Sequence, residues 1–179
     1  SEVSFDDNVL NNNVDFKFSD AYLSFNYRFI TGIFTMEPGF TINSYKTENI
    51  QLGRTVSNSY SDIRPDMRVF MKFKDSESLR FTYNATNQFT DVNNLAEGYV
   101  FNNYNSFFQG NPNLEAGKFY NYNLNYQSIN IFNFTNVFAR LGYSKRSNTI
   151  QNNTLIRGIS SVRSAVNSNL PRENYTASG

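Results

Sequence analysis

The chain contains no cysteine, no histidine and no tryptophan. Without cysteine it can build neither a disulfide framework nor a thiolate metal site. Without histidine it lacks the commonest general base and the commonest transition-metal ligand. Serine is plentiful, but no Gly-x-Ser-x-Gly elbow is present and no imidazole exists to activate a hydroxyl. The expectation is a protein that is not an enzyme and carries no cofactor. Charge is also scarce, at 17% of residues against about 25% in ordinary soluble domains. The 16 basic and 15 acidic residues leave a net charge of +1. With no clustered Lys and Arg to meet phosphates, a nucleic-acid partner is excluded. No run approaches the roughly 18 apolar residues of a membrane helix, and the first residues do not read as a secretory signal.

What fills the space is aromatic and neutral polar. Phe occurs 18 times and Tyr 12 times, among abundant Asn, Ser and Thr. Several stretches alternate with period two, the mark of a strand with one dry and one wet face. Leu79, Phe81, Tyr83 and Ala85 alternate with Arg80, Thr82, Asn84 and Thr86. Tyr120, Tyr122, Leu124 and Tyr126 alternate with Asn121, Asn123 and Asn125. The same holds for Ala21, Leu23, Phe25, Tyr27 and Phe29, for Phe34, Met36, Phe40 and Ile42, for Met67, Val69, Met71 and Phe73, and for Val137, Ala139, Leu141 and Tyr143. Val14, Phe16 and Phe18 suggest that a strand is already running earlier. Pro38-Gly39 marks a bulge or bend. No helical period is found, so the chain reads as all-β.

The connections alternate in length. Short reversals fall at 30–32, 74–77 and within 127–133; long loops fall at 46–65, 87–117 and after 146. In an up-and-down antiparallel meander this sends short turns to one end and long loops to the other, the pattern of an outer-membrane barrel. A mean hydropathy of −0.53 is compatible, because barrel strands are apolar on one face only. Aromatics near strand ends (Phe29, Phe34, Phe73, Phe132, Phe134, Tyr143) suit interfacial girdles.

Arg64-Pro65 ahead of a strand, the strand Ser78–Tyr83, the loop motif Gly110-Asn111-Pro112-Asn113-Leu114-Glu115 and the earlier Phe34–Gly39 together resemble TonB-dependent receptor-like outer-membrane β-barrel proteins, over most of residues 14–145. The resemblance implies a bacterial outer-membrane location and a parent barrel of about twenty-two strands around a plug. It also implies transport of nutrients or chelates driven by the TonB energy-coupling complex. This chain holds six to seven recognisable strands, with no plug-like segment, no energy-coupling box and no terminal aromatic strand. Residues 1–179 are therefore expected to be a partial barrel, completed by the remaining strands and plug, set in outer-membrane lipid, with a surface lipoprotein as a further partner. Two alternatives stand beside it: a structural or secretion-associated barrel without active transport, and a soluble β-sandwich or adhesin module.

Candidate sites are few. The loop residues Tyr99, Phe101, Tyr104, Phe107 and Phe108, among asparagines, suit sugar or peptide contact by stacking and hydrogen bonding. Arg28, Arg68, Lys72, Arg80 and Arg140 lie on polar strand faces, either as a basic ladder for anionic solutes or paired with acidic side chains, the pairing being favoured. Asp6-Asp7, Asp62 with Asp66, and Glu97 with Glu115 are carboxylate pairs without EF-hand spacing, more simply read as solvated. Four Asn-x-Ser/Thr sequons arise by chance in so Asn-rich a chain.

Overall fold

The computed structural model describes residues 14–51, 53–95, 98–103 and 105–179. The side chains of Val14, Val92, Asn93, Phe101, Asn102 and Arg157 are left out of the description. β1 (Val14–Asn26), the short β2 (Phe29–Thr31), β3 (Phe34–Gln51), β4 (Arg54–Lys74) and β5 (Glu77–Gln88) follow one another. A single 3₁₀ turn (Val92–Leu95) precedes β6 (Tyr99–Asn103) and β7 (Ser106–Gln109). Then come β8 (Gly117–Asn130), β9 (Thr135–Ser147), β10 (Thr149–Arg157), β11 (Ser160–Ser168) and β12 (Arg172–Ser178). The fold is all-β, and its main sheet is an antiparallel meander in the order β1-β3-β4-β5-β8-β9-β12, with β2 beside β3. The sheet is open, with β1 and β12 as outer strands. A second sheet has the order β10-β11-β7-β6. No helix among the described residues is long and apolar enough to cross a membrane, which says nothing of crossing by strands.

Register gives the main sheet two unlike faces, because residues directly opposite across a ladder share a face. One row runs Met36, Val69, Phe81, Leu124, Leu141 and Ala177. The adjacent row, offset by one residue, runs Glu37, Arg68, Thr82, Asn123, Gly142 and Thr176. The apolar face is uncovered: Leu23 is 71% exposed, Ile63 64% and Leu141 54%. The only buried hydrophobic residues among those described are Tyr45, Val69, Leu95 and Ala165. A β-sandwich would have covered this face, and no second sheet does.

The three short turns gather at one end of the sheet, as expected. The turns at Gly32-Ile33, Asp75-Ser76 and 131–134 sit side by side, joined by Lys72 N–H to Ile33 C=O (2.9 Å) and Ile129 N–H to Ser76 C=O (2.8 Å). Gly32 has φ +55°, a conformation open to Gly at little cost.

Four expectations are corrected. Residues 46–65 are not a loop. β3 and β4 stay in register up to Gln51↔Arg54 and reverse tightly at Gly53 (φ +71°). The periodicity fades there because polar and charged side chains cover most of both faces, while the hairpin satisfies its own backbone bonds. Pro38-Gly39 makes no bulge, since Pro38↔Met67 and Gly39↔Asp66 keep the common register. Glycine fits because the side chains of Asn26 and Asp66 lie over its Cα. The break falls opposite, at residues 27–28 between β1 and β2. Residues 87–117 contain β6 and β7, and the stretch after 146 contains the hairpin β10–β11 followed by β12, which pairs with β9. β11 runs parallel to β7, Ser161 opposite Ser106, a pairing between distant segments that no local pattern announces.

Candidate functional site

Above the pair Asp66↔Asn84, β4 no longer pairs with β5, which stays with β8 as far as Gln88↔Gly117. The strands part, and the segment 89–116 fills the opening. A cavity of about 610 Å³ lies there on the polar face, within the roughly 300–1,000 Å³ range of small-molecule sites.

Its aromatic wall comes from a change of phase along the strands. On β1 the apolar residues sit at 21, 23 and 25, but nearer the loops at 16 and 18, which belong to the opposite face. β3 changes phase between Ile42 and Tyr45, and β4 between Ile63 and Tyr60. The pairs Ile42↔Ile63 and Tyr45↔Tyr60 put the change at one level. Tyr45 is 4% exposed and stacks at 5.3 Å on Tyr60 and 6.0 Å on Phe18. Phe89, the first residue after β5, meets Tyr45 edge-on at 4.6 Å and Phe18 at 5.1 Å. Offset and edge-on contacts of this kind are the favourable ones.

The roof is tied down by amides. Asn49 Nδ2 (3.4 Å) and Gln51 Nε2 (3.0 Å) both donate to the carbonyl of Leu95, and Asn111 N–H donates to Asn94 C=O (2.7 Å). The Gly110–Glu115 motif is an Asx turn: Asn111 Oδ1 accepts from Asn113 N–H at 3.0 Å. Asn167 clamps its end, accepting from Glu115 N–H and donating to Glu115 C=O, both at 2.9 Å. Asn148, in the left-handed region at φ 53°, donates to Glu115 Oε2 (3.2 Å) and Ala116 C=O (3.3 Å).

Asp62 is matched within the site. Asp62 accepts from Asn87 Nδ2 (2.8 Å) and faces Lys118 Nζ at 3.5 Å. Arg64 Nη2 donates to Asn43 Oδ1 at 2.6 Å, and Asn43 is 1% exposed. Burial, then the charge of Asp62, then Tyr45 and Glu115 push the Tyr60 phenol up from 10.0 to about 12, against a smaller opposing pull from Arg64. The sign follows from the acid's neutral form being favoured in the fold. That advantage is complete below pH 10 and is lost as pH rises towards 12. Subtracting the 295 nm alkaline titration of a Tyr60→Phe variant from that of the parent should reveal one phenol with a midpoint near 12. A difference curve centred at 10 would contradict the burial of this ring.

The residues singled out from sequence lie elsewhere. Tyr99 and Phe107 pack edge-on at 6.3 Å across the hairpin β6–β7, with Phe108 next in line. Phe101 stands opposite Phe107 in register, and Tyr104 lies outside the described residues. Tyr99, Phe107 and Phe108 do not line the cavity. Arg28 and Arg68 both pair with Glu37 (3.3 and 3.5 Å), and Lys72 pairs with Asp75 (2.6 Å). Arg140 instead donates to Asn125 Oδ1 (2.8 Å), and Arg80 lies over the Phe70 ring. Of the carboxylate pairs, Asp6, Asp7 and Glu97 lie outside the described residues. Among those described, no group of three His, Cys, Asp or Glu gathers to hold a metal. Sequence reading missed Phe18, Tyr45, Tyr60 and Phe89. The phase change was the available signal, visible as Phe16 and Phe18 against Ala21 and Leu23.

An open antiparallel meander with one apolar and one polar face, short turns at one end and a layered loop end, is the architecture of a β-barrel wall. In structure the chain is similar to the FrpB iron transporter from Neisseria meningitidis (F3-3 variant), with a TM-score of 0.61 at 16% identity over 96% of this chain and 24% of that one. The chain thus spans about a quarter of that transporter's length, and at this identity the likeness is one of fold. No protein-family model matches the chain, and no curated protein matches it in sequence.

Proposed function

We infer that the chain is a non-catalytic segment of a bacterial outer-membrane β-barrel that moves a solute, in the manner of TonB-dependent receptors. Its apolar face would meet lipid and its polar face the lumen. The single observation that carries this reading is the uncovered apolar face seven strands wide, too large to be left in water.

Three features support it. The outward apolar residues of β3 run from Phe34 to Ile42, about 26 Å along the strand and a little over 20 Å once tilted, close to the roughly 25 Å band of such barrels. On the loop side the band is bordered by a level row of tyrosines, Tyr83, Tyr122, Tyr143 and Tyr175, at 4.7, 5.5 and 4.9 Å, which suits an interfacial girdle. Beyond this tyrosine row, on the same face, stands the ion pair Lys145–Glu173 at 3.7 Å, which suits the headgroup level. The turn end carries its own aromatics: Tyr27 against Phe29 (6.1 Å), and Phe132 and Phe134, 91% and 88% exposed. These would form the second girdle.

On this reading the remaining strands and plug of a longer barrel pair with β1 and β12, because unpaired backbone cannot stand in lipid. The TonB complex and a surface lipoprotein are the further partners. The test starts from a full-length protein with any cysteine outside this chain replaced by serine. Single cysteines placed at 79–83 and 122–126 in the full-length protein in native outer membranes should label alternately. Even positions of β5 and odd positions of β8 should react with charged, water-soluble maleimides, and the others only with lipid-soluble ones. Uniform labelling by the charged reagent would rule the lipid-facing assignment out.

A further inference from the structure

We propose that the cavity at the parting of β4 and β5 binds an uncharged, hydroxyl-rich ring compound, the chemistry of a saccharide. This rests on the reading above and deepens it, since it gives the lumen face a solute. Three independent features converge on that chemistry. Phe18, Tyr60 and Phe89, packed around the buried Tyr45 and themselves partly exposed, offer flat apolar surface, suited to stacking against the C–H face of a ring. Asn49 lines the same cavity and is 4% exposed, and its Oδ1 is buried without a hydrogen-bond partner among the described residues. A buried acceptor left unmade is costly, and a ligand O–H would satisfy it once the Asn49 amide turns towards the cavity. A purely apolar occupant would leave that cost in place.

The third feature is charge. Lys118, the one cation lining the cavity among the described residues, is already paired with Asp62, and Glu115, held by the Asn148 amide, adds a second carboxylate. An anionic solute would find no free counter-charge there and would have to break the Asp62–Lys118 pair. An uncharged solute breaks none. Asn58, Thr90 and Asn113 add neutral polar groups around the rim.

The test uses the full-length protein in detergent micelles, with folding checked by heat-modifiable mobility on gels. It is applied to an array of neutral oligosaccharides (glucans, mannans and galactans) alongside sulfated and uronic-acid glycans, and the strongest neutral binder is then titrated calorimetrically. Binding of neutral glycans is expected, weakened about tenfold or more by Tyr45→Ala, Phe89→Ala and Asn49→Leu. Ser44→Ala, on the opposite face, should leave affinity unchanged. If an alanine variant fails to fold, Tyr45→Leu and Asn49→Leu carry the comparison. Absence of neutral-glycan binding by folded protein, tighter binding of charged glycans, or affinity indifferent to all three changes would overturn the proposal. The cysteine labelling separates the two levels. An alternating pattern without glycan binding removes the cavity assignment alone, whereas a uniform pattern removes the membrane reading beneath it.

Discussion

Replacing Leu124 by arginine is expected to destabilise the membrane-inserted protein by about 1–3 kcal/mol, between the cost of a guanidinium at the lipid midplane and the small cost near an interface. Leu124 stands between Phe81 and Leu141 in the row that also holds Val69 and Ala177. That row lies inside the band, one level on the turn side of the tyrosine ladder, so snorkelling to the headgroups cannot fully rescue the charge. The same substitution one residue away, Asn123→Arg, should cost little. Asn123 shares the polar row with Thr82 and Thr176, and that row already carries Arg68 and its partner Glu37. Urea titration of the full-length protein folded into vesicles measures both variants. Equal losses at the two positions would mean that the faces are not distinguished by lipid.

The second large effect concerns the wall above the band. Asn43→Leu should lower stability by about 1–3 kcal/mol, because a charged donor then loses its acceptor in a buried setting. Asn43 Oδ1 takes the Arg64 Nη2 hydrogen bond at 2.6 Å, and the Arg64 Nε is already without a partner. Arg64→Met alone should also destabilise, by leaving Asn43 unsatisfied. The double variant Asn43→Leu/Arg64→Met should lose much less than the sum, since removing both polar partners leaves nothing stranded. Strict additivity in the same urea titration would show that the two side chains are not energetically coupled.

The contrast between these two sites also marks what could be read in advance. Around Leu124 the alternation of Asn with Tyr and Leu is a local, period-two signal, and it fixes the face of each side chain once a strand is recognised. Around Asn43 the same reading gives only a polar position near the end of a strand. That β3 and β4 continue past Ile42 and Ile63 into a paired hairpin was illegible, because polar and charged side chains dominate both faces and leave little contrast to detect. The cavity was hidden for a related reason. Its rings come from β1, β3, β4 and the residue after β5, and they meet only because the strands change phase at one level. The aromatic segment 99–108, conspicuous in sequence, forms a hairpin beside β11 instead.

By itself, then, the sequence determined the all-β class, the two-faced strands, the meander and the short turns gathered at one end, all of which follow from side-chain alternation over a few neighbouring residues. The tertiary structure decided where β4 leaves β5, which loop fills the gap, how Asn167 and Asn148 clamp the Asn-Pro-Asn turn, and that an orphan amide oxygen waits in the cavity so formed. Those outcomes depend on hydrogen bonds between residues far apart in the chain, and such bonds leave no period in the sequence.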